Sequence, residues 1–175
     1  GLVVDISRYM NRILEVNERE HWVRVEPGVV LDELNLYVKP FGLFFGPETS
    51  TSNRCCMGGM VGNNSCGSHS LVYGSTREHL LEATVVLSNG EEIVLRGMTP
   101  GEVEERMTLD TLEGEIYRNM IRVLQSHGKE IIEHFPDPAL RRRNSGYAID
   151  QLLYSDYFDK NYSGHFNLCK LLAGS

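Results

Sequence analysis

"ETSTSNRCCMGGMVGNNSCGSHSLVYGST", Glu48 to Thr76, is the stretch on which the fold turns. Gly, Ser, Thr, Asn and Cys dominate it, and ordinary apolar patterns flank it on both sides. Irregular segments of this length are uncommon in compact domains and are often functional where they occur. Gly58, Gly59, Gly62 and Gly67 leave backbone without a Cβ, so a ligand can approach the main chain closely there. Asn63, Asn64 and Ser65 add short polar groups, and a helix beginning near Cys56 would turn its first N–H groups toward an anion. These are the ingredients of a phosphate cradle, with a mobile surface loop as the equal alternative. The spacing is not G-x-x-x-x-G-K-S/T, so a P-loop is excluded. Nor does G-x-G-x-x-G follow a strand, so a Rossmann site lacks support.

Working outward, the N-terminal side reads as short strands: Leu2 to Ser7, Arg12 to Asn17 and His21 to Gly28, the last two with alternating polarity. "VLDELNLYVKPFG" then reads as a helix with Leu31, Leu34, Leu36 and Val38 on its stripe, ended by Pro40 and Gly42. On the C-terminal side, "LLEATVVLSNGEEIVL" predicts two strands around Asn89 and Gly90, a dipeptide suited to a type I′ turn. "TPGEVEERM" and "TLEGEIYRNMIRVLQSHG" predict helices, the second carrying Ile116, Met120, Ile121 and Leu124 and stopping at Gly128. "KEIIEHFPDPAL" adds a short helix broken at Pro136, and "YAIDQLL" and "FNLCKLL" are short amphipathic candidates. Strands first and helices after predict an α+β fold.

Composition bounds the function. The 175 residues suit one domain or part of a larger one, with 41% hydrophobic and 23% charged residues. A formal net charge of -7 argues against nucleic acid, although Arg141 to Arg143 form a local basic run. No apolar stretch approaches the roughly 20 residues of a membrane span. Cys55, Cys56, Cys66 and Cys169 offer no C-x-x-C pair, which favours reduced, mostly buried thiols in a cytoplasmic setting and no metal. His69 and His79, without a third partner, read as structural. No nucleophile elbow, zinc helix or paired carboxylates stand out, so no catalytic residue is assigned. "RRRNSGYAID" reads as a solvated basic turn, or as Arg and Asn beside a ligand carboxylate or phosphate.

The run from "EPGVVLDELNLY" through "GPETS", "GGMVGNN", "YGSTREH" and "SNGEEI" resembles the FAD-linked oxidases of the vanillyl-alcohol-oxidase type, whose ordered motifs it matches across most of the chain. Its flavour is that of the D-lactate and D-2-hydroxyglutarate dehydrogenase branch. The resemblance implies a PCMH-type FAD-binding domain: an antiparallel-rich sheet flanked by helices, in which residues 1–27 end a first subdomain and residues 28–175 form a truncated second one. It implies an Arg-Gly-Gly-Gly-Thr pyrophosphate segment before Gly1. A "GSEGTLG" strand cut at Gly174 and Ser175, a substrate cap beyond it, and an iron–sulfur region elsewhere in the polypeptide are implied as well. Carried over by position, Pro47, Glu48, Thr49 and Ser50 approach the ribityl–pyrophosphate part of FAD. Gly58, Gly59 and Asn63 cradle pyrophosphate or flavin, with Ser65 and Gly67 continuing that wall. Tyr73 and Gly74 lie near the isoalloxazine, and Asn144 and Gly146 near the flavin or substrate mouth. Some branches attach flavin covalently through Cys or His; ordinary packing is the reading adopted for Cys66.

The activity implied is oxidation of a 2-hydroxy acid such as D-lactate by hydride transfer to flavin N5, with the electron acceptor unspecified. The implied location is cytoplasmic, with peripheral membrane association left open for the full-length protein. Alternatives are an FAD-dependent oxidase or reductase with another substrate, a non-enzymatic fragment unable to hold FAD alone, and a plain interaction domain.

Overall fold

The computed structural model describes residues 3–140 and 146–174. The chain divides into two compact units, Gly1–Glu78 and His79–Ser175. Helices and two small antiparallel hairpins make up the secondary structure, as the α+β expectation requires.

In the first unit, β1 (Ile13–Asn17) pairs antiparallel with β2 (Trp22–Val25), with an irregularity in register between Ile13 and Glu15. Arg12 closes the hairpin's open end: its guanidinium lies 2.7 Å from Glu26 Oε1, and its N–H donates to Glu26 Oε2 at 2.8 Å. These bonds hold the Glu26 carboxyl below its ordinary range. The strand expected over Leu2 to Ser7 does not form among the described residues. Ser7 donates from its N–H and hydroxyl to the Asp5 carboxylate, at 2.9 and 2.7 Å, and the chain turns over Ser7–Tyr9. Such local side-chain bonds compete with strand pairing. Helix α1 (Leu31–Val38) follows, then a 3-10 turn, Lys39–Phe41, closed by Gly42 at φ 70°. Leu31, Leu34 and Val38 are buried, but Leu36 is 73% exposed. Positions i, i+3 and i+7 share a face and i+5 does not, so Leu36 leaves the predicted stripe. Val29, Met57 and Met60 complete this small core, against which Val16, Val23 and Val25 pack. Three short helices follow: α2 (Met57–Gly62), α3 (Ser70–Tyr73) and α4 (Thr76–His79).

In the second unit, β3 (Glu82–Val86) pairs antiparallel with β4 (Glu92–Arg96). The connection is not type I′, which needs positive φ at both central residues. Gly90 has φ 86°, but Asn89 does not share the left-handed region. Gly90 N–H bonds the Leu87 carbonyl, Leu87 N–H bonds the Glu91 carbonyl, and Asn89 Oδ1 accepts from Glu91 N–H at 3.0 Å. That is a three-residue loop with glycine at its left-handed position. Helix α5 (Pro100–Met107) carries a capping box between Thr99 and Glu102. Helix α6 (Leu112–His134) runs straight through Gly128, joining two predicted helices. Gly128 does not stop it: it has no positive φ and lies beside Leu153 of α7 (Asp150–Leu153), where a Cβ would make ordinary van der Waals contact at 3.4 Å. Tyr117, Ile121 and Leu124 of α6 meet Leu95, Met98, Val103, Phe166 and Cys169 in an apolar core, with Cys169 opening α8 (Cys169–Leu172).

Candidate functional site

The glycine-rich stretch does contain a helix beginning after Cys56, but its first donors are already engaged. Cys56 bridges to Val30, Met57 N–H donates to the Val29 carbonyl at 2.9 Å, and Gly58 N–H donates to the Pro27 carbonyl at 2.8 Å. Helix α2 is therefore stitched to the segment that leaves β2. Gly58 faces that segment so closely that a Cβ would stand 2.7 Å from Pro27 Cβ. Gly59 behaves oppositely. A Cβ there would meet nothing within 4 Å, the residue is exposed, and its N–H makes no hydrogen bond among the described residues. Asn63, one turn on, is exposed too, and its N–H bonds the Gly59 carbonyl at 3.0 Å. Of the two glycines expected to cradle a pyrophosphate, one packs on protein and the other opens outward.

Three of the predicted segments come together. A Cβ on Gly67 would collide with the Glu48 carbonyl oxygen, and one on Gly46 would lie 2.7 Å from Cβ and Cγ of Tyr73. The two strips of chain thus touch backbone to backbone, which only glycine permits at Gly67. His69 Nδ1 lies 2.8 Å from Glu48 Oε2, adding an exposed polar link across the same seam. The Tyr73 ring stands edge-on to Phe44, centroids 5.2 Å apart, and edge-on to His69 at 6.4 Å. Pro47 is buried, Glu48 and Ser50 are exposed, and the Thr49 hydroxyl lies 3.1 Å from that of Thr51 and 3.3 Å from Cys55 Sγ. Gly74 takes φ 75° beneath the Glu78 carboxylate. Gly146 is exposed at φ 81° in the second unit, and Asn144 lies outside the described residues.

A second set of residues, of which only Ser65 was in the predicted site, holds the loop between α2 and α4. Asn64 is 2% exposed, adopts φ 43°, and accepts the Arg77 N–H on Oδ1 at 2.9 Å. The N–H and hydroxyl of Thr76 both donate to the Ser65 carbonyl, at 3.0 and 2.7 Å. Glu78 Oε2 accepts from the Ser75 N–H and, at 2.8 Å, from the Ser75 hydroxyl. The last pair was legible: "STRE" at Ser75 to Glu78 is the S-x-x-E arrangement in which a third-position Glu reaches back to the capping residue. Cys55, Cys56 and Cys66 are free and half-buried, and only Cys169 is fully buried. Among the described residues no group of His, Cys, Asp or Glu could hold a metal ion, and no helix is long and apolar enough to cross a membrane.

The open Cα and unpaired N–H of Gly59, with the exposed Asn63 amide beside it, fit the pyrophosphate of FAD. Comparison with known proteins agrees. The family described as FAD binding domain matches residues 1–96. D-2-hydroxyglutarate dehydrogenase of Pantoea ananatis is 42% identical over 175 residues, covering 100% of this chain and 16% of its own length. The enzyme of the same name from Escherichia coli is 40% identical over 176 residues, again 16% of its length. The glycolate oxidase subunit GlcD of Bacillus subtilis is 36% identical over 103 residues, 59% of this chain and 22% of that protein. The chain thus spans about 16% of the first two relatives. By the match over more than half its residues, the chain belongs to the FAD binding domain family.

Proposed function

We propose that these residues form one wall of the FAD site of a dehydrogenase that oxidises a 2-hydroxy acid such as D-2-hydroxyglutarate or D-lactate. The observation that carries this reading is Gly59. It combines room for close approach with a backbone donor left unused by the fold, while Gly58 beside it is closed by Pro27. Backbone N–H groups can offset phosphate charge without a cation, which suits a chain of net charge -7. FAD, when bound, supplies the acceptor for the substrate's hydride. The chain's own part is to bind and to position. Gly59 and the Asn63 amide receive the pyrophosphate, the strip Pro47–Ser50 with Ser65 and Gly67 lines the ribityl side, and Tyr73 with Gly74 borders the isoalloxazine. Residues 1–27 close a first subdomain and 28–175 lie in the second. Asn144 and Gly146 are assigned to the flavin or substrate mouth. The cytoplasmic location expected from the sparse cysteines belongs to the same proposal. The names of the relatives, two for D-2-hydroxyglutarate and one for glycolate, support the substrate class.

The test is the visible absorption spectrum of the native polypeptide that carries this chain, followed by turnover with a dye acceptor. Flavin bands retained through gel filtration and reduced by D-2-hydroxyglutarate, D-lactate or glycolate are expected. Colourless protein after incubation with FAD would overturn the cofactor site; yellow protein that no 2-hydroxy acid reduces would overturn the substrate class alone.

A further inference from the structure

The loop from Ser65 to Ser75 carries Gly67, His69 and Tyr73 between α2 and α4, and its two ends are pinned side by side. Asn64 Oδ1 takes the Arg77 N–H at 2.9 Å, and the Ser65 carbonyl takes both donors of Thr76 at 2.7 and 3.0 Å. Asn64 and Thr76 are each 2% exposed. A polar group buried this deeply is tolerated only when bonded, and a buried Asn in the left-handed region is a further departure from ordinary chain preference. Exposed loops do not need such anchoring. The loop's outer residues Leu71 and Val72 are exposed, and Tyr73, against Phe44 and Gly46, is its apolar contact with the rest of the unit.

We propose that Asn64 and Thr76 are positioning residues: by closing the base of the loop they set where Gly67 and Tyr73 stand against Glu48 and Gly46, and so set the shape of the cofactor wall. This inference rests on the reading of that wall as part of the FAD site. At 2% exposure each, both act through the loop they close. Asn64 holds the chord of the loop through the Arg77 amide, and Thr76 adds a hydroxyl to a contact its own N–H already makes. Gly67 then meets the Glu48 carbonyl with no slack, so a shift at the pins passes directly to the strip Pro47–Ser50.

The experiment uses the native polypeptide in three variants. Asn64→Gly removes the acceptor while keeping tolerance of positive φ. Thr76→Val removes the hydroxyl at nearly constant volume, and Thr76→Ser restores it. Two readouts are taken: hydrogen exchange of the amides from Ser65 to Arg77 without FAD, and FAD affinity together with the shape of the flavin absorption bands. Asn64→Gly and Thr76→Val are expected to speed exchange and to weaken FAD about tenfold with altered bands, the effect of losing one buried neutral hydrogen bond, while Thr76→Ser stays within about twofold of the native protein. Faster exchange with unchanged affinity and bands would overturn the inference and leave the FAD reading standing. So would unchanged exchange. Unfolding of both Asn64→Gly and Thr76→Val would assign the pins a purely structural role and overturn it as well. A native polypeptide that takes up no FAD overturns the site reading and this inference together, and is told apart by its failure before any substitution.

Discussion

Phe166 and Asn64 are both buried, but different physics keeps them so. Phe166 sits with no exposure among Tyr117, Tyr157 and Phe158, ring centroids 5.9 to 6.4 Å away, and its carbonyl accepts the Met98 N–H at 2.9 Å. Its unit is built round an apolar cluster, which is non-directional and tolerant of small shifts. Asn64 belongs to a loop where Ser70, Ser75, Thr76 and Arg77 are also buried, and where glycines let backbone meet backbone. That construction is directional: each contact works at one geometry. A fold can hold a cofactor with small polar residues only by giving up much of the apolar burial that would otherwise secure it. The comparison teaches where each unit should be fragile.

Truncation in the apolar unit has the largest expected effect. Phe166→Ala removes a fully buried ring and should destabilise the protein by about 3–5 kcal/mol. Urea denaturation followed by circular dichroism would measure it, and a loss below 1 kcal/mol (about the scale of an exposed substitution) would mean the ring is not central to that core.

In the polar unit the corresponding break comes from adding atoms. Gly67→Ala drives a methyl into the Glu48 carbonyl, and separating those strips should cost about 3 kcal/mol, at the upper range for overpacking. Gly59→Ala is the matched control. It faces open space inside α2, so the chain should hold its stability or gain about 0.5–1 kcal/mol from better helix propensity. Gly59→Val should keep the fold as well and yet weaken FAD binding, because its side chain fills the open approach. If Gly67→Ala and Gly59→Ala shift the thermal midpoint alike, the distinction between closed and open glycine fails.

The same contrast explains what the sequence revealed. Apolar periodicity located α1, α5, α6 and both hairpins, because apolar cores are written as repeating patterns. It misjudged Leu36, which was placed on the helical stripe, and Gly128, where a glycine inside a continuous helix was read as a stop. The Leu2 to Ser7 strand failed to a local Asp5–Ser7 bond that periodicity does not register. The glycine-rich loop was legible as a composition and as an ordered set of motifs. Its internal division was not: nothing in "MGGM" distinguishes Gly58, closed by Pro27, from Gly59, which is open. Such roles depend on residues some thirty positions away. The pinning roles of Asn64 and Thr76 were equally hidden, since a pin is defined by its partner's position.

A smaller effect is expected inside the apolar core. The Tyr117 hydroxyl is buried without a hydrogen-bond partner among the described residues, and burial, followed by the nearby Glu113 charge, pushes its pKa up to about 12. Tyr117→Phe removes the unpaired group and keeps the ring, so stability should rise by about 1 kcal/mol. A loss on that substitution would show the hydroxyl to be satisfied in solution and would blur the line between the apolar unit and the polar one.

The smallest effect concerns the two acidic residues that reach back to helix starts, Glu78 to Ser75 in the first unit and Glu102 to Thr99 in the second. Glu102 also takes the Arg96 guanidinium at 2.6 Å, and this bond, then those from Thr99, hold its carboxyl at about 2 against an ordinary 4.5. A depressed carboxylate pKa means that the folded state prefers the ionised form. Its contribution is therefore complete above pH 4.5 and is lost as pH falls toward about 2. Glu102 is exposed to solvent and salt, so the change should be a modest slope in thermal midpoint across that window, reduced at high ionic strength. Glu102→Gln should flatten that part of the slope. An identical acid slope in both proteins would place the acid sensitivity elsewhere, in carboxylates such as Glu26, whose pairing with Arg12 closes the first hairpin.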